Sequence, residues 1–159
     1  MTKTILSVNA GTSSVKATFY TLDSPPREIV DVSVTGLSSP PPSIKYKCRG
    51  QKYKEQLDVN IDTPPKAFNL LLDRCIHDPR LLELTSTDDL EYICHRVVHG
   101  GDYDQPIIIT DKTYDYLKTL DHLAPLYDLS PSCSLFPRHW FSRGLKRNES
   151  VTLGLCHSL

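Results

Sequence analysis

Apolar and polar residues alternate along the first sixty positions, and the spacing then changes to threes and fours. Ile5 to Val8 is a short apolar run of the kind a buried strand shows. From Val15 to Leu22 the alternation puts Val15, Ala17 and Phe19 on one face and Lys16, Thr18 and Tyr20 on the other. A turn over Asp23 to Arg27 leads to Val30, Val32 and Val34, which mark a third strand. Ser38 to Ser43 carries three prolines and is a surface loop, because proline cannot donate to a ladder. Ile44, Tyr46 and Cys48 then alternate with Lys45, Lys47 and Arg49, and Arg49-Gly50-Gln51 turns the chain back into a strand over Tyr53 to Val59. These segments predict an antiparallel meander.

Helical spacing follows. Asp62 or Thr63 can cap a helix with Pro64 and Pro65 in its first turn. Phe68, Leu71, Leu72, Cys75 and Ile76 form its apolar stripe, and Asp78-Pro79 ends it. Leu90 to Val98 predicts another buried strand, since Ile93, Val97 and Val98 are β-branched, and Gly100-Gly101 breaks it. Ile107 to Ile109 is short and extended. Thr110 or Asp111 can cap a second helix with Tyr114, Leu117, Leu120 and Ala124 on its apolar side, ending at Pro125. Strands followed by helix, strand and helix predict an α/β layer. Residues 127–159 sustain neither a period of 2 nor one of 3.6, and predict no element.

Composition adds exclusions. A 159-residue chain with 39% apolar and 23% charged residues suits one soluble domain. The net charge of -1 argues against a nucleic-acid arm or a polybasic membrane patch, and no apolar run approaches the roughly 20 residues of a membrane span. The N-terminus becomes polar too soon for a signal peptide. Five widely spaced cysteines without a C-x-x-C pair read as thiols in a reducing compartment, so a cytoplasmic location is expected.

Two stretches carry candidate chemistry. In Ser7-Val-Asn-Ala-Gly-Thr-Ser-Ser-Val-Lys16 a strand runs into six small or polar residues, where a tight hairpin needs two. Gly11 permits a positive φ, and consecutive N–H groups there can cradle an anion. Thr12, Ser13 and Ser14 add hydroxyls, Lys16 adds a point charge, and Asn9 offers a neutral oxygen toward a metal ion or its waters. The Walker pattern is absent, and a polar hairpin loop with a solvated lysine accounts for the same residues.

The second stretch is Cys94-His-Arg-Val-Val-His-Gly-Gly101. Histidines four apart suggest zinc only on a helix, whereas Val97-Val98 and Gly100-Gly101 point to a strand entering a loop, and the general-base Glu is missing. Arg96 is suited to a bidentate grip on a carboxylate or phosphate, or else to a structural ion pair. Cys94 is no nucleophile paired with His95, since strand neighbours face opposite ways.

Taken together, the stretch from Ile5 to Lys16, then His95-Arg-Val-Val-His-Gly-Gly101 about eighty residues later, and Leu123-Ala-Pro-Leu126 after a helix resemble the acetate kinase family in order and spacing. The match covers roughly residues 4–126. The family belongs to the sugar kinase, Hsp70 and actin superfamily. The resemblance implies a ribonuclease-H-like domain, with an antiparallel meander plus parallel strands and helices, forming the N-terminal half of an acetokinase-type two-domain kinase. It further implies that Asn9 belongs to the Mg²⁺ site, that Lys16 meets ATP with Thr12 and Ser14 lining the same loop, and that Arg96 binds the acetate carboxylate. The implied reaction moves the γ-phosphoryl of ATP to acetate, with a homodimer in the full-length family.

Where the family continues Leu-Ala-Pro-Leu-His-Asn, this chain has Tyr127-Asp128, and the resemblance stops. Residues 1–126 are therefore expected to be an incomplete N-terminal domain. Residues 127–159 are expected to be a divergent tail, from a frameshift, a retained intron or a misplaced gene end. The family's acid/base Asp lies beyond the matching region, so negligible turnover is expected of this chain alone. A fragment that only binds nucleotide or a partner, and a propionate or butyrate kinase, are the alternatives.

Overall fold

The structure is a computed structural model. It describes residues 3–58, 60–97, 101–103 and 105–120, and the backbone of Leu153–Leu155. Its strands are β1 (Thr4–Ala10), β2 (Ser14–Thr21), β3 (Glu28–Thr35), β4 (Ser43–Cys48), β5 (Gln51–Gln56), β6 (Leu90–Val97) and β7 (Leu153–Leu155), with helices α1 (Pro64–Ile76) and α2 (Asp111–Thr119). They build a mixed sheet in the order β5-β4-β3-β2-β1-β6-β7. β1 to β5 pair antiparallel in succession, while β6 lies parallel to β1 and β7 parallel to β6. This is the expected meander joined to a parallel strand through a helix.

Strand alternation decides which face is buried. Leu6, Val8, Val15, Ala17, Phe19, Val30, Val32, Val34, Ile44 and Tyr46 point to one side, where Ala67, Phe68, Leu71, Leu72 and Cys75 of α1 cover them. The helix stripe and the strand alternation thus close on a single core. The opposite face carries Ser7, Asn9, Lys16, Asp31, Ser33, Lys45 and Lys47, all on pleats that avoid α1. No helix among the described residues is long and apolar enough to cross a membrane.

Several expectations shift in detail. The β4–β5 turn consists of Arg49 (φ 48°) and Gly50 (φ 83°), and two consecutive positive φ values define the type I′ hairpin. β5 therefore begins at Gln51 and ends at Gln56, earlier than Tyr53 to Val59. Past it, the Leu57 amide donates to the Pro42 carbonyl (2.9 Å) and its side chain enters the core, while Val59 lies outside the described residues. Thr63 occupies the N-cap of α1 without a side-chain cap bond, and Asp62 instead pairs with Lys66 at 2.7 Å. α2 is capped as expected: Thr113 N–H donates to Thr110 Oγ1 (3.3 Å) and Thr110 N–H to Thr113 Oγ1 (2.7 Å). Val98, His99, Gly100, Ala124 and Pro125 lie outside the described residues. In the tail, where the sequence predicts no element, the backbone of Leu153–Leu155 pairs with His95–Val97.

Candidate functional site

The loop between β1 and β2 is shorter than its sequence suggests. Asn9 and Ala10 still belong to β1 and Ser14 already to β2, so only Gly11, Thr12 and Ser13 turn the chain. Gly11 N–H donates to the Ser14 carbonyl (2.8 Å), and the Ser13 carbonyl accepts from both Gly36 N–H and Leu37 N–H at 3.1 Å. The loop is thus held from below by the β3–β4 connection, with Thr12 and Ser13 exposed. Gly11 does not adopt the positive φ that its residue type permits; among the described glycines, Gly36, Gly50 and Gly101 do. A Cβ at Gly11 would meet only the Ser14 carbonyl oxygen, at 3.8 Å. The glycine is therefore not demanded by local backbone or packing. What it does is leave the outer side of the loop bare for close approach.

Register brings the selected side chains together. Asn9 and Lys16 are direct partners across β1 and β2. Val8 pairs with His95 across β1 and β6, and both side chains are buried on the α1 side. Arg96, one residue beyond that pair as Asn9 is beyond Val8, belongs to the opposite face with Asn9 and Lys16. With neighbouring strands about 4.8 Å apart, the three residues form a row about 10 Å long on β2, β1 and β6. The row lies at the carboxyl ends of the two parallel strands, where open α/β sheets bind ligands.

The charges in this row are not equally engaged. Lys16 Nζ sits 3.2 Å from Asp31 Oδ1, the oxygen that also accepts a hydrogen bond from Thr18 Oγ1 at 2.8 Å. Lys16 remains half-exposed, so an incoming anion competes with Asp31 for it. Arg96 is exposed and makes no salt bridge to a described carboxylate. Asn9, Thr12 and Ser14 find no side-chain hydrogen-bond partner among the described residues. Beside Arg96, burial pushes the His95 imidazole down to about 3, so the ring stays neutral at physiological pH. A neutral oxygen donor, hydroxyls, an ammonium and a guanidinium on one face make a receptor for oxyanions.

Beyond β6 the chain is fixed by α2. Asp102 N–H donates to Tyr116 Oη (3.1 Å), and Tyr116 Oη donates to Asp102 Oδ2 (2.8 Å). Gly101 has a φ of 63°, and a Cβ there would lie 2.5 Å from Tyr116 Oη. Neither Asp31 nor Tyr116 stands out in the sequence as a site residue. Asp31 gives a signal only in its alternation with Val30 and Val32, and its partner depends on a register that no local pattern specifies.

The chain matches known proteins over most of its length. A family model described as the acetokinase family matches residues 4–133. A protein named probable acetate kinase from Emericella nidulans is 48% identical over 128 residues, covering 80% of this chain and 30% of that protein. The acetate kinase of Enterococcus faecalis is 36% identical over 132 residues, covering 80% of this chain and 31% of its own length. Among solved structures, Porphyromonas gingivalis acetate kinase superposes with a TM-score of 0.74 at 20% identity, over 96% of this chain and 37% of that one. A propionate kinase from Francisella tularensis gives 0.69 at 21% identity, over 96% and 36%. The fold is thus shared with the N-terminal part of such kinases, and the chain spans about 30% of the length of the curated relatives it matches.

Proposed function

This chain belongs to the acetokinase family, and on that premise we propose that it forms the phosphate-facing and acetate-facing part of an acetate kinase. The observation that carries this reading is the single row of Lys16, Asn9 and Arg96 at the carboxyl ends of β1 and β6. In the proposed reaction a carboxylate oxygen of acetate attacks the γ-phosphorus of ATP. The bond from that phosphorus to the β–γ bridging oxygen breaks, and acetyl phosphate and ADP leave. Such transfer depends on placing the reactants in line and on neutralising charge.

Each residue has a task in that scheme. Arg96 holds the acetate carboxylate with its planar fork and aims an oxygen at phosphorus. Lys16 exchanges Asp31 for phosphate oxygens of ATP and offsets their charge. Thr12 and Ser14 donate hydroxyl hydrogen bonds to the same phosphates, and bare Gly11 lets them come close. Asn9 fits Mg²⁺ as a hard oxygen donor. Asn9 would contribute to that Mg²⁺ site together with phosphate oxygens and water. When bound, Mg²⁺ neutralises phosphate charge during transfer.

These 159 residues span about 30% of the matched relatives, and we propose that alone they bind Mg·ATP without turning it over. A hydroxamate assay for acetyl phosphate with acetate, ATP and Mg²⁺ tests this division. Absence of product together with Mg·ATP binding supports it. Robust acetyl phosphate formation by the chain alone contradicts the division, and absence of any ATP binding contradicts the reading itself.

A further inference from the structure

The sheet face opposite α1 opens a shallow hollow of about 550 Å³, lined by five lysines (Lys16, Lys45, Lys47, Lys52 and Lys54) together with Asp31, Ser33, Tyr46 and Tyr53. Its charge density follows from register. Lys45 stands directly opposite Lys54, and Lys47 directly opposite Lys52, across β4 and β5. Two like-charge pairs in the cross-strand position work against the hairpin that carries them. Lys47 is relieved by Glu28 at 2.7 Å and Lys16 by Asp31, whereas Lys45, Lys52 and Lys54 meet no described carboxylate within salt-bridge distance.

Lysines on an edge strand guard against edge-to-edge pairing, which accounts for Lys52 and Lys54 on β5. It does not account for Lys45 and Lys47, because β4 is an interior strand between β3 and β5. The four lysines stand at the corners of a rectangle about 4.8 Å across the strands and about 7 Å along them. An acidic peptide strand presents a single charge per side chain about 7 Å apart on one face, too sparse to neutralise such a cluster. A phosphate chain carries its charge far more densely. Lysine ammoniums act on it as movable point charges, without the planar fork that carboxylate recognition favours. Tyr46 and Tyr53 border the hollow, but they alternate with the lysines and stack on each other at 5.0 Å, and Tyr46 is buried with its Oη donating to Asp78 Oδ2 at 2.6 Å. Single-stranded nucleic acid therefore lacks its usual platform.

We propose that the β4–β5 lysines form a binding site for a linear oligophosphate, set beside the Gly11 loop and sharing only Lys16 with the row proposed to receive ATP. The ligand chemistry is a chain of phosphates, supplied either free or as the tail of a nucleotide.

The test is calorimetric titration of the 159-residue protein with inorganic tripolyphosphate, with Mg-free ATP and poly-glutamate as parallel arms. One site that depends on Lys45 and Lys54 is expected, weakening with added salt. It is separate from any ATP held at the Gly11 loop, and the affinities compared are those of this Lys45/Lys54-dependent site. Lys45→Gln with Lys54→Gln is expected to weaken it about tenfold or more, while Lys66→Gln on α1 leaves it unchanged. Lys52→Glu with Lys54→Glu guards against a folding artefact. It turns both like-charge pairs into opposite-charge pairs, so it is expected to raise Tm by about 2–5 °C and to abolish binding. Tripolyphosphate binding tighter than ATP assigns the site to free oligophosphate, and the reverse assigns it to a nucleotide tail. Unchanged affinity in the Lys45/Lys54 variant, or equal affinity for poly-glutamate, overturns the proposal.

Discussion

Asn9 of β1 and Lys16 of β2 are direct cross-strand partners, and the Lys16 ammonium rests 3.2 Å from Asp31 of β3. Three neighbouring strands thus place an oxygen donor, a cation and its counterion in one row on the face that α1 leaves uncovered. The arrangement holds the lysine where phosphate would arrive without leaving its charge uncompensated before then. Folding and binding draw on different contacts here, and substitutions can separate them.

Lys16→Ala removes a half-exposed ion pair, which contributes within about 1 kcal/mol. Urea unfolding of the variant is expected to match the parent within that margin. Its Mg·ATP affinity is expected to fall tenfold or more. A large loss of stability with unchanged affinity would mean that Lys16 serves the fold.

The two site glycines behave oppositely. A Cβ at Gly11 finds only ordinary contact at 3.8 Å, so Gly11→Ala is expected to keep the parental Tm and lose nucleotide affinity. Gly101→Ala combines a φ of 63° with a 2.5 Å approach to Tyr116 Oη, and is expected to destabilise by about 1–3 kcal/mol. Thermal melts of the two variants side by side check both.

Phe68 anchors α1 to the sheet and is 1% exposed. Phe68→Ala is expected to cost about 3–5 kcal/mol, read as a lower urea midpoint with an unchanged slope.

Acid lowers stability in two stages. Burial holds His95 neutral down to about pH 3, whereas in the unfolded chain it protonates near its ordinary 6.5. The unfolded state therefore binds one more proton between those values, and stability falls with decreasing pH at up to about 1.4 kcal/mol per unit. Asp78 lies below its ordinary 3.8, chiefly through hydrogen bonds from Arg80. For Asp89 burial is the largest influence and pushes upward, but the Thr85 and Ser86 donors outweigh it and its net shift is downward. Both carboxylates add stability that is present above about pH 4 and lost as pH falls through their folded values. Denaturation midpoints from pH 7.5 to 2 are expected to show both stages, and His95→Leu is expected to flatten the upper one.

Much of this molecule is legible in its sequence because period-two and period-3.6 patterns meet on one core. Val15, Ala17 and Phe19 of β2, and Phe68, Leu71 and Cys75 of α1, point where their spacing says they must. Arg49-Gly50 announces its turn through the residue that tolerates a positive φ. What stays hidden depends on register between distant strands. The meeting of Lys16 with Asp31 and the inward swing of Leu57 past β5 are set by pairing and loop contacts that no local pattern encodes, whereas the opposition of Lys45 and Lys54 follows from the two-residue Arg49-Gly50 turn once that turn is placed. The candidate site is legible as a set of residue types, and its sharing of one face emerges only from the sheet.

The central claim is that the β1–β2 loop and the row beside it receive nucleotide phosphates. The most direct measurement is an amide ¹H–¹⁵N NMR titration of the 159-residue protein with Mg·ATP. The account predicts saturable shifts at Asn9, Gly11, Thr12, Ser14 and Lys16 that disappear in Lys16→Ala. Shifts confined to other parts of the sheet, or none at millimolar Mg·ATP, would contradict it.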